Sequence, residues 1–461
     1  MKKTTKLFAV VLAVIIAVMP LCTVAGAAGT LTDGYTIRST YENVDWSGWQ
    51  SYKGSLHTHS SVSDGSESFR NMIYAAYEQD YDILAFSEHG ITGRAWDKAP
   101  FIRPLYLYQI AAGYDRKPLS TDEFNAIQSG SAADPKTGES RGKGMLCVTG
   151  ANELNGVTIS KSHVNGYFLP ESVANMEWGY ENGYDYALSL VEKNGGISHI
   201  NHPSDWLGTG DDESVVSDPK NVEFFADYLL RYKSCLGIEA VNGFTSLTRY
   251  DRILWDNLLM YCLPYGKTVY GFAGSDAHSI GRLNSCFMYF MMDELSTESL
   301  RTAMETGAFF GATHSVVANS VIGPENDVNA PAGVNQPLAR VNSLTVDGHK
   351  IIADVGNASY ISWIANGKVI AKTEVNGDGV AVLDLDEFDT SDMLYVRLEI
   401  YNENGMVFSQ PLTLDRGTAP LEYNKEKTLS EKLVFALCST RIYVLFEKLF
   451  KLIAKNIGCG L

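Results

Sequence analysis

Between Trp46 and His314, short apolar runs of strand length alternate with stretches whose apolar residues recur at helical spacing. Alternation of this kind points to an α/β domain, with working groups carried on strand ends and the loops after them. Lys53 to His57 reads as a strand, Phe69, Met72, Ile73 and Ala76 share one face of a helix, and Tyr81 to Phe86 reads as the next strand. Further strand candidates are Met145 to Thr149, Gly196 to Ile200, Gly237 to Val241, Thr268 to Ala273 and Cys286 to Met291. Residues two apart in a strand project to the same side, so His57 and His59 aim both imidazoles at one point near the strand's end.

Candidate ligands gather at these ends. Ser63-Asp64-Gly65 and Ser87-Glu88-His89 follow the first two runs, and Gly150-Ala151-Asn152-Glu153 puts a carboxylate after a third. His163 follows Lys161-Ser162, the segment His199-Ile200-Asn201-His202-Pro203 adds two imidazoles, and Asp276 with His278 forms a second same-side pair. Apart from His314 and His349, which read as structural or surface residues, every histidine lies in one of these motifs. Imidazole and carboxylate together suit Zn, Mn or Fe. Two readings stay open for Asp64, ligation or capping of the helix that follows. His199 is either a ligand or catalytic group, or a hydrogen-bonded core histidine.

This ordered succession resembles the polymerase and histidinol phosphatase (PHP) family of metal-dependent hydrolases over about Trp46 to His314. The segment Trp255-Asp256-Asn257-Leu258-Leu259 and the insertion after His89 are most similar to its secreted, carbaryl-hydrolase-like branch. The resemblance implies a distorted (β/α)7 barrel holding two or three divalent ions at the carboxyl ends of its strands. By motif position, His57, His59, Glu153 and Asp276 would hold the first ion. Glu153 would bridge to a second completed by His163 and His202, and Asp64, His89 and His278 would hold the third. Two positions depart from the pattern: Asp64 stands where some members have histidine, and Glu88 where aspartate is common. A hydroxide shared by closely spaced ions attacks phosphoryl or carbonyl centres without a side-chain nucleophile. His199, or a water on an ion, is the expected proton donor to the leaving group. Lys161, Arg94 and Arg282 are candidates for gripping a phosphate, by their closeness to the motifs.

The 461 residues exceed one ordinary core, so more than one domain is expected. Lys2, Lys3 and Lys6, an apolar run from Leu7 to Leu21 and Ala25-Gly26-Ala27 read as an export signal over residues 1–28, with a retained anchor as the alternative. A net charge of −17 disfavours a nucleic-acid polymer as partner. Cys147, Cys235, Cys262, Cys286, Cys438 and Cys459 form no CxxC pair and read as buried thiols, with one or two bridges still open. Within a hydrolase domain spanning 46–318, residues 92–144 interrupt the rhythm as either a lid or a surface elaboration. Asn366-Gly367 and Asn404-Gly405 turn signals within 335–418 point to a small β-sandwich. The tail, 429–461, mixes apolar residues with Lys432, Arg441, Lys448, Lys451 and Lys455, as an amphipathic helix that either lies on a membrane surface or docks on the protein itself. Together these features lead to an exported metal-dependent phosphoesterase acting on a small phosphate ester. Hydrolysis of a carboxylic ester, amide or carbamate, and a non-catalytic surface binding protein, are the rivals.

Overall fold

The computed structural model describes residues 34–101, 115–134, 137–156, 162–173, 183–209, 212–243, 248–318, 321–324, 328–329 and 336–439. The expected export signal, Lys161 and the tail beyond Ser439 lie outside these residues.

The first half builds mixed α/β structure. In order come β1 (Thr36–Arg38), β2 (Gln50–Ser55), α1 (Phe69–Glu78), β3 (Ile83–Ala85), α2 (Thr121–Ser129) and β4 (Leu146–Val148). Then follow β5 (Asn152–Gly156), β6 (Ser162–Tyr167), α3 (Tyr184–Lys193), β7 (Ile197–Ile200), α4 (Pro203–Leu207), α5 (Pro219–Arg231) and β8 (Cys235–Asn242). The half closes with α6 (Asp251–Cys262), β9 (Tyr270–Gly274), β10 (Cys286–Met292), α7 (Thr297–Thr306) and β11 (Phe309–Thr313). Local chemistry explains the boundaries. Ser68 caps α1 by accepting from the Asn71 amide, and Phe69, Met72, Ile73 and Ala76 are buried as their spacing requires. A reciprocal Ser120/Glu123 capping box starts α2, and Gly130 ends it in the left-handed conformation.

Two sheets result. In one, β2, β3 and β4 are parallel neighbours, and β10 joins β2 and β11 antiparallel. In the other, β5, β6 and β7 are antiparallel neighbours, and β7, β8 and β9 run parallel. Two isolated parallel bridges, Thr58 to Ala277 and His89 to Glu153, link strand-end extensions of the first sheet to the second.

After the short β12 (Ser315–Val316) and β13 (Val328–Asn329) the chain turns antiparallel. It forms β14 (Arg340–Asp347), β15 (Lys350–Ala365), β16 (Lys368–Asp384), β17 (Tyr395–Asn402), β18 (Gly405–Phe408) and β19 (Leu412–Asp415). The sequence suggests a sandwich standing apart, but the hydrogen bonding makes these strands an extension of the first sheet: β18 pairs with β11, and β1 with β19. Gly311 of β11 permits that approach, since a Cβ there would lie 2.0 Å from the Phe408 ring.

The two parts share a buried polar contact. Arg397 on β17 donates through Nε and Nη2 to Asp256 of α6 at 2.7 and 2.6 Å, and the Tyr395 hydroxyl donates to the same carboxylate at 2.5 Å. Arg252, one turn earlier, donates to Glu399 at 2.7 Å, and the Gln410 side chain pairs with both backbone groups of Gly271 at 2.8 Å. Asp256, singled out with its neighbours as a branch-like segment, thus works at this seam, beside a fully buried Trp255.

Helix α8 (Leu429–Ser439) begins the tail. The segment leading to it lies on α5: the Tyr423 hydroxyl donates to Asp227 at 2.7 Å, Lys425 pairs with Glu223 at 2.8 Å, and Arg231 pairs with Glu431 at 3.3 Å. Of these, only the Arg231–Glu431 pair involves the tail itself, most of which lies outside the described residues. Among the described residues, no helix is long and apolar enough to cross a membrane. Cys147, Cys235, Cys262 and Cys286 are buried free thiols.

Candidate metal centre

Each candidate ligand is delivered by a strand end or the turn after it. Beyond β2 the chain stays extended, with the His59 amide donating to Ala277 at 2.9 Å and the Thr58 amide to the Ser87 hydroxyl at 3.2 Å. Glu153 and His163 sit on the antiparallel pair β5 and β6, His202 is the residue before α4, and Asp276 and His278 follow β9. Two of these positions carry positive φ without being glycine, His202 at 28° and Asp276 at 47°. Backbone strain of this sort persists where surrounding structure enforces it, commonly at functional sites.

The side chains converge. His57 Nε2 stands 3.4 Å from Glu153 Oε1 and 3.3 Å from Asp276 Oδ1. His59 Nε2 stands 3.2 Å from Asp276 Oδ1 and from Glu153 Oε2. His163 Nδ1 and His202 Nε2 approach Glu153 Oε1 to 2.9 and 3.6 Å. His89 Nε2 and His278 Nε2 flank the Asp64 carboxylate at 3.2 and 3.3 Å. Two donors held about 2.0–2.2 Å from one ion stand about 2.8–3.6 Å apart, the edges of an octahedron or tetrahedron. The spacings fall in that range. Moreover, His57 Nε2, His59 Nε2, both His163 ring nitrogens and Glu153 Oε2 are buried and make no hydrogen bond among the described residues. Buried polar atoms are rarely left so, and bound cations would satisfy all of these but one nitrogen of His163, which keeps its proton. The donor set therefore fits divalent metal. Four overlapping groups could hold an ion: His57, His59 and Asp276; His57, Glu153 and His202; His89, Glu153 and His163; and His59, Asp64, His89 and His278.

Electrostatics give the same answer. Burial works against charge on His57, yet Glu239, Asp276 and Glu153 outweigh it and raise its pKa well above the ordinary value. Burial is likewise overcome at His59 by Asp276 and Glu153, and at His202 by Glu153, Asp276 and Glu239; both rise to about 9. At His163 burial wins over Glu153, and the imidazole falls to about 4. Carboxylates packed this tightly demand positive charge from protons or metal, and the two compete for the same lone pairs. Exposure is uneven across the cluster: Asp64, Asp276 and His278 are partly exposed, whereas His57, His59 and Glu153 are buried.

Supporting residues complete the site, and of these Glu239, Asn201 and Trp206 escape sequence reading. Glu239 of β8 is fully buried, with Oε1 2.6 Å from His57 Nδ1. A charged residue inside the apolar stretch Leu236 to Val241 was the signal available for it. Glu88 accepts from the amides of Ser60 and Ser63 at 3.0 and 3.1 Å and from both hydroxyls, so its role is to shape the turn that presents Asp64. Asn201 donates to Glu153 Oε1 at 2.7 Å. Trp206 on α4 flanks His163 and His202, its ring 4.7 and 5.8 Å from theirs.

Other expectations need correction. His199 joins none of the four groups; it is buried, stacked on Phe272 at 4.4 Å and 3.7 Å from Glu239, and burial lowers its pKa. That placement is a core one, not that of a proton donor facing substrate, yet neither ring nitrogen makes the hydrogen bond expected of a core histidine among the described residues. Asp64 does not cap α1, since Ser68 does. Arg94 points into the insertion, over the Phe101 ring at 4.4 Å and paired with Glu171 at 3.3 Å, and is not a phosphate grip at the cluster. Arg282 is exposed on the turn after His278. Lys161 lies outside the described residues. The insertion does reach the site's edge, where Arg116 Nε donates to the Ser61 carbonyl at 2.6 Å. His314 bonds the Asn404 carbonyl at 2.9 Å, and His349 pairs with Asp386 at 2.6 Å on the surface.

No protein-family profile matches the sequence, and no curated protein does. Among solved structures, the chain is similar to a two-domain protein of Bacteroides vulgatus described as containing a predicted PHP-like metal-dependent phosphoesterase. That match has 14% identity and TM-score 0.38, over 83% of this chain and 100% of that one. It is also similar to the lesion-specific endonuclease EndoQ of Pyrococcus furiosus, with 13% identity and TM-score 0.30 over 56% of each chain. A Bifidobacterium adolescentis protein assigned as a metal-dependent phosphoesterase matches at 13% identity and TM-score 0.30, over 55% of this chain and 96% of that one. With likeness at this level, the functional reading rests on the side chains themselves.

Proposed function

We propose that this protein is an exported metal-dependent phosphoesterase that hydrolyses a small phosphorylated molecule, using two or three divalent ions of the Zn, Mn or Fe type. The observation that carries the reading is the convergence of nine separated side chains, His57, His59, Asp64, His89, Glu153, His163, His202, Asp276 and His278, at ligand-edge spacing. His57, His59 and Asp276 would hold one ion, His163 and His202 a second, and Asp64, His89 and His278 a third, with Glu153 offering an oxygen to each of the first two. The barrel expectation is supported by the two isolated bridges, which connect β2, β3 and β5 through β9 into a ring.

Bound ions would supply Lewis acidity at the attacked centre and a water acidic enough to act at neutral pH. The chain's own residues supply the rest. Glu153 is held by Asn201, and the partly exposed rim of Asp64, Asp276 and His278 admits substrate. Arg282, exposed four residues beyond His278, is the proposed phosphate grip.

Metal analysis of the purified mature protein, then turnover of phosphate monoesters, diesters, carboxylic esters and a short DNA strand, tests this. His57→Ala and Asp276→Ala are the controls, and turnover equal to the parent's in both would remove the mechanism. One observation favours a second reading: the Trp206 indole beside His163 and His202 offers an aromatic wall, which suits an aryl carboxylic ester or carbamate. Preference for such esters over every phosphate would decide for it.

A further inference from the structure

We infer that Glu239 is a positioning residue that fixes the spacing between two of the ion sites, by holding one ligand of each with a single buried carboxylate. The inference rests on the metal reading above. Glu239 Oε1 lies 2.6 Å from His57 Nδ1, while Oε2 accepts the backbone amide of His202 at 3.1 Å and Asn242 Nδ2 at 2.8 Å. A histidine that gives its Nδ1 proton to a carboxylate presents the Nε2 lone pair, and His57 Nε2 is the atom facing Glu153 and Asp276. The second oxygen acts on backbone. His202 sits at φ 28°, ψ 57° with no side-chain cap of its own, so the amide bond to Glu239 helps enforce the conformation that aims its ring at Glu153.

The surroundings are shaped to this carboxylate. The β8–β9 register shifts between Glu239 and Val241, as a bulge that re-aims a side chain does. At Gly274, on the neighbouring strand, a Cβ would lie 1.9 Å from Glu239 Oε1, so only glycine leaves the oxygen where His57 needs it. His199 and its stacked Phe272 close the far side. No other described residue touches both His57 and the His202 backbone through one functional group.

Glu239→Gln preserves size but offers one acceptor and one donor, so it cannot accept from both His57 and His202. Gly274→Ala keeps the carboxylate and displaces it. Both variants and the parent are stripped with chelator, titrated with Mn(II), and followed by metal content and by electron paramagnetic resonance, which reads magnetic coupling between neighbouring ions. The parent is expected to bind at least two ions with a coupled spectrum. Each folded variant is expected to bind about 10–100-fold more weakly at one site, with the coupled signal replaced by that of isolated Mn(II). Parental stoichiometry, affinity and coupling in Glu239→Gln overturn the inference and leave the metal reading intact. Should Glu239→Gln fail to fold, the same parental result in Gly274→Ala overturns it. A parent that binds no Mn, Zn or Fe overturns the metal reading and this inference together.

Discussion

Replacing Arg397 with methionine should cost the protein about 3–5 kcal/mol, the usual loss when one member of a buried ion pair is removed. The geometry sets the size. Arg397 and Asp256 are 0% and 1% exposed, and the substitution deletes the 2.7 and 2.6 Å bonds to Asp256 and the 2.8 Å bond to Glu399. Glu399 keeps Arg252 and Tyr401, but Asp256 keeps only the Tyr395 hydroxyl among the described side chains of β17. With about 2.1 cal/mol/K per residue over the roughly 360 described residues, that loss lowers Tm by about 4–7 °C. Pairing Arg397→Met with Asp256→Leu should recover part of it, because the stranded charge is gone. Scanning calorimetry reads both. A single variant melting within about 1 °C of the parent would mean that the pair carries no such stability. So would a chain ending at residue 318 that melts like the parent, since it leaves Arg252, Asp256 and the Gly271 backbone without their buried partners.

Three further expectations follow from the same geometry. His59 and His202 keep their protons up to about 9 against an ordinary 6.5, so in chelator-stripped protein that pairing stabilises fully below pH 6.5 and is lost as pH rises through about 9. Metal binding near pH 7.5 must then release protons, and calorimetric heats identical in buffers of different ionisation enthalpy would contradict this. Gly311→Ala, whose Cβ would meet the Phe408 ring at 2.0 Å, should cost about 1–3 kcal/mol by overpacking. Parental denaturant stability would argue against the β11–β18 pairing. Tyr423→Phe with Lys425→Ala should expose the segment after Arg416 to faster limited proteolysis, whereas unchanged cleavage would mean those contacts do not hold it.

What the sequence disclosed and what it hid have a common cause. Strands such as β3 and β10 are apolar runs, ILA and CFMYFMM, and burial writes itself into such runs. β5 and β6, NELNG and SHVNGY, carry Glu153 and His163, and the polarity that serves the site erases the alternation that would mark them as strands. The ligands were legible because motif order survives folding. Their supporters were not: Glu239 meets His57 across 182 residues and Arg397 meets Asp256 across 141, distances at which local pattern carries no information. His199 misled for the opposite reason. Three residues from His202, it shares the motif but points from β7 toward Phe272 and Glu239. The β14–β19 region read correctly as β structure, yet its joining to β11 depends on one small residue, Gly311, whose partner lies nearly a hundred positions away.

We propose that His57, His59, Glu153, His202 and Asp276 cage cations. Crystals grown with Mn(II), measured for anomalous scattering, test it most directly. Peaks are expected about 2.0–2.2 Å from His57 Nε2, His59 Nε2 and His202 Nε2, with Glu153 shared between two of them. Anomalous signal confined to surface carboxylates, with those imidazoles bonded only to protein or water, would contradict it.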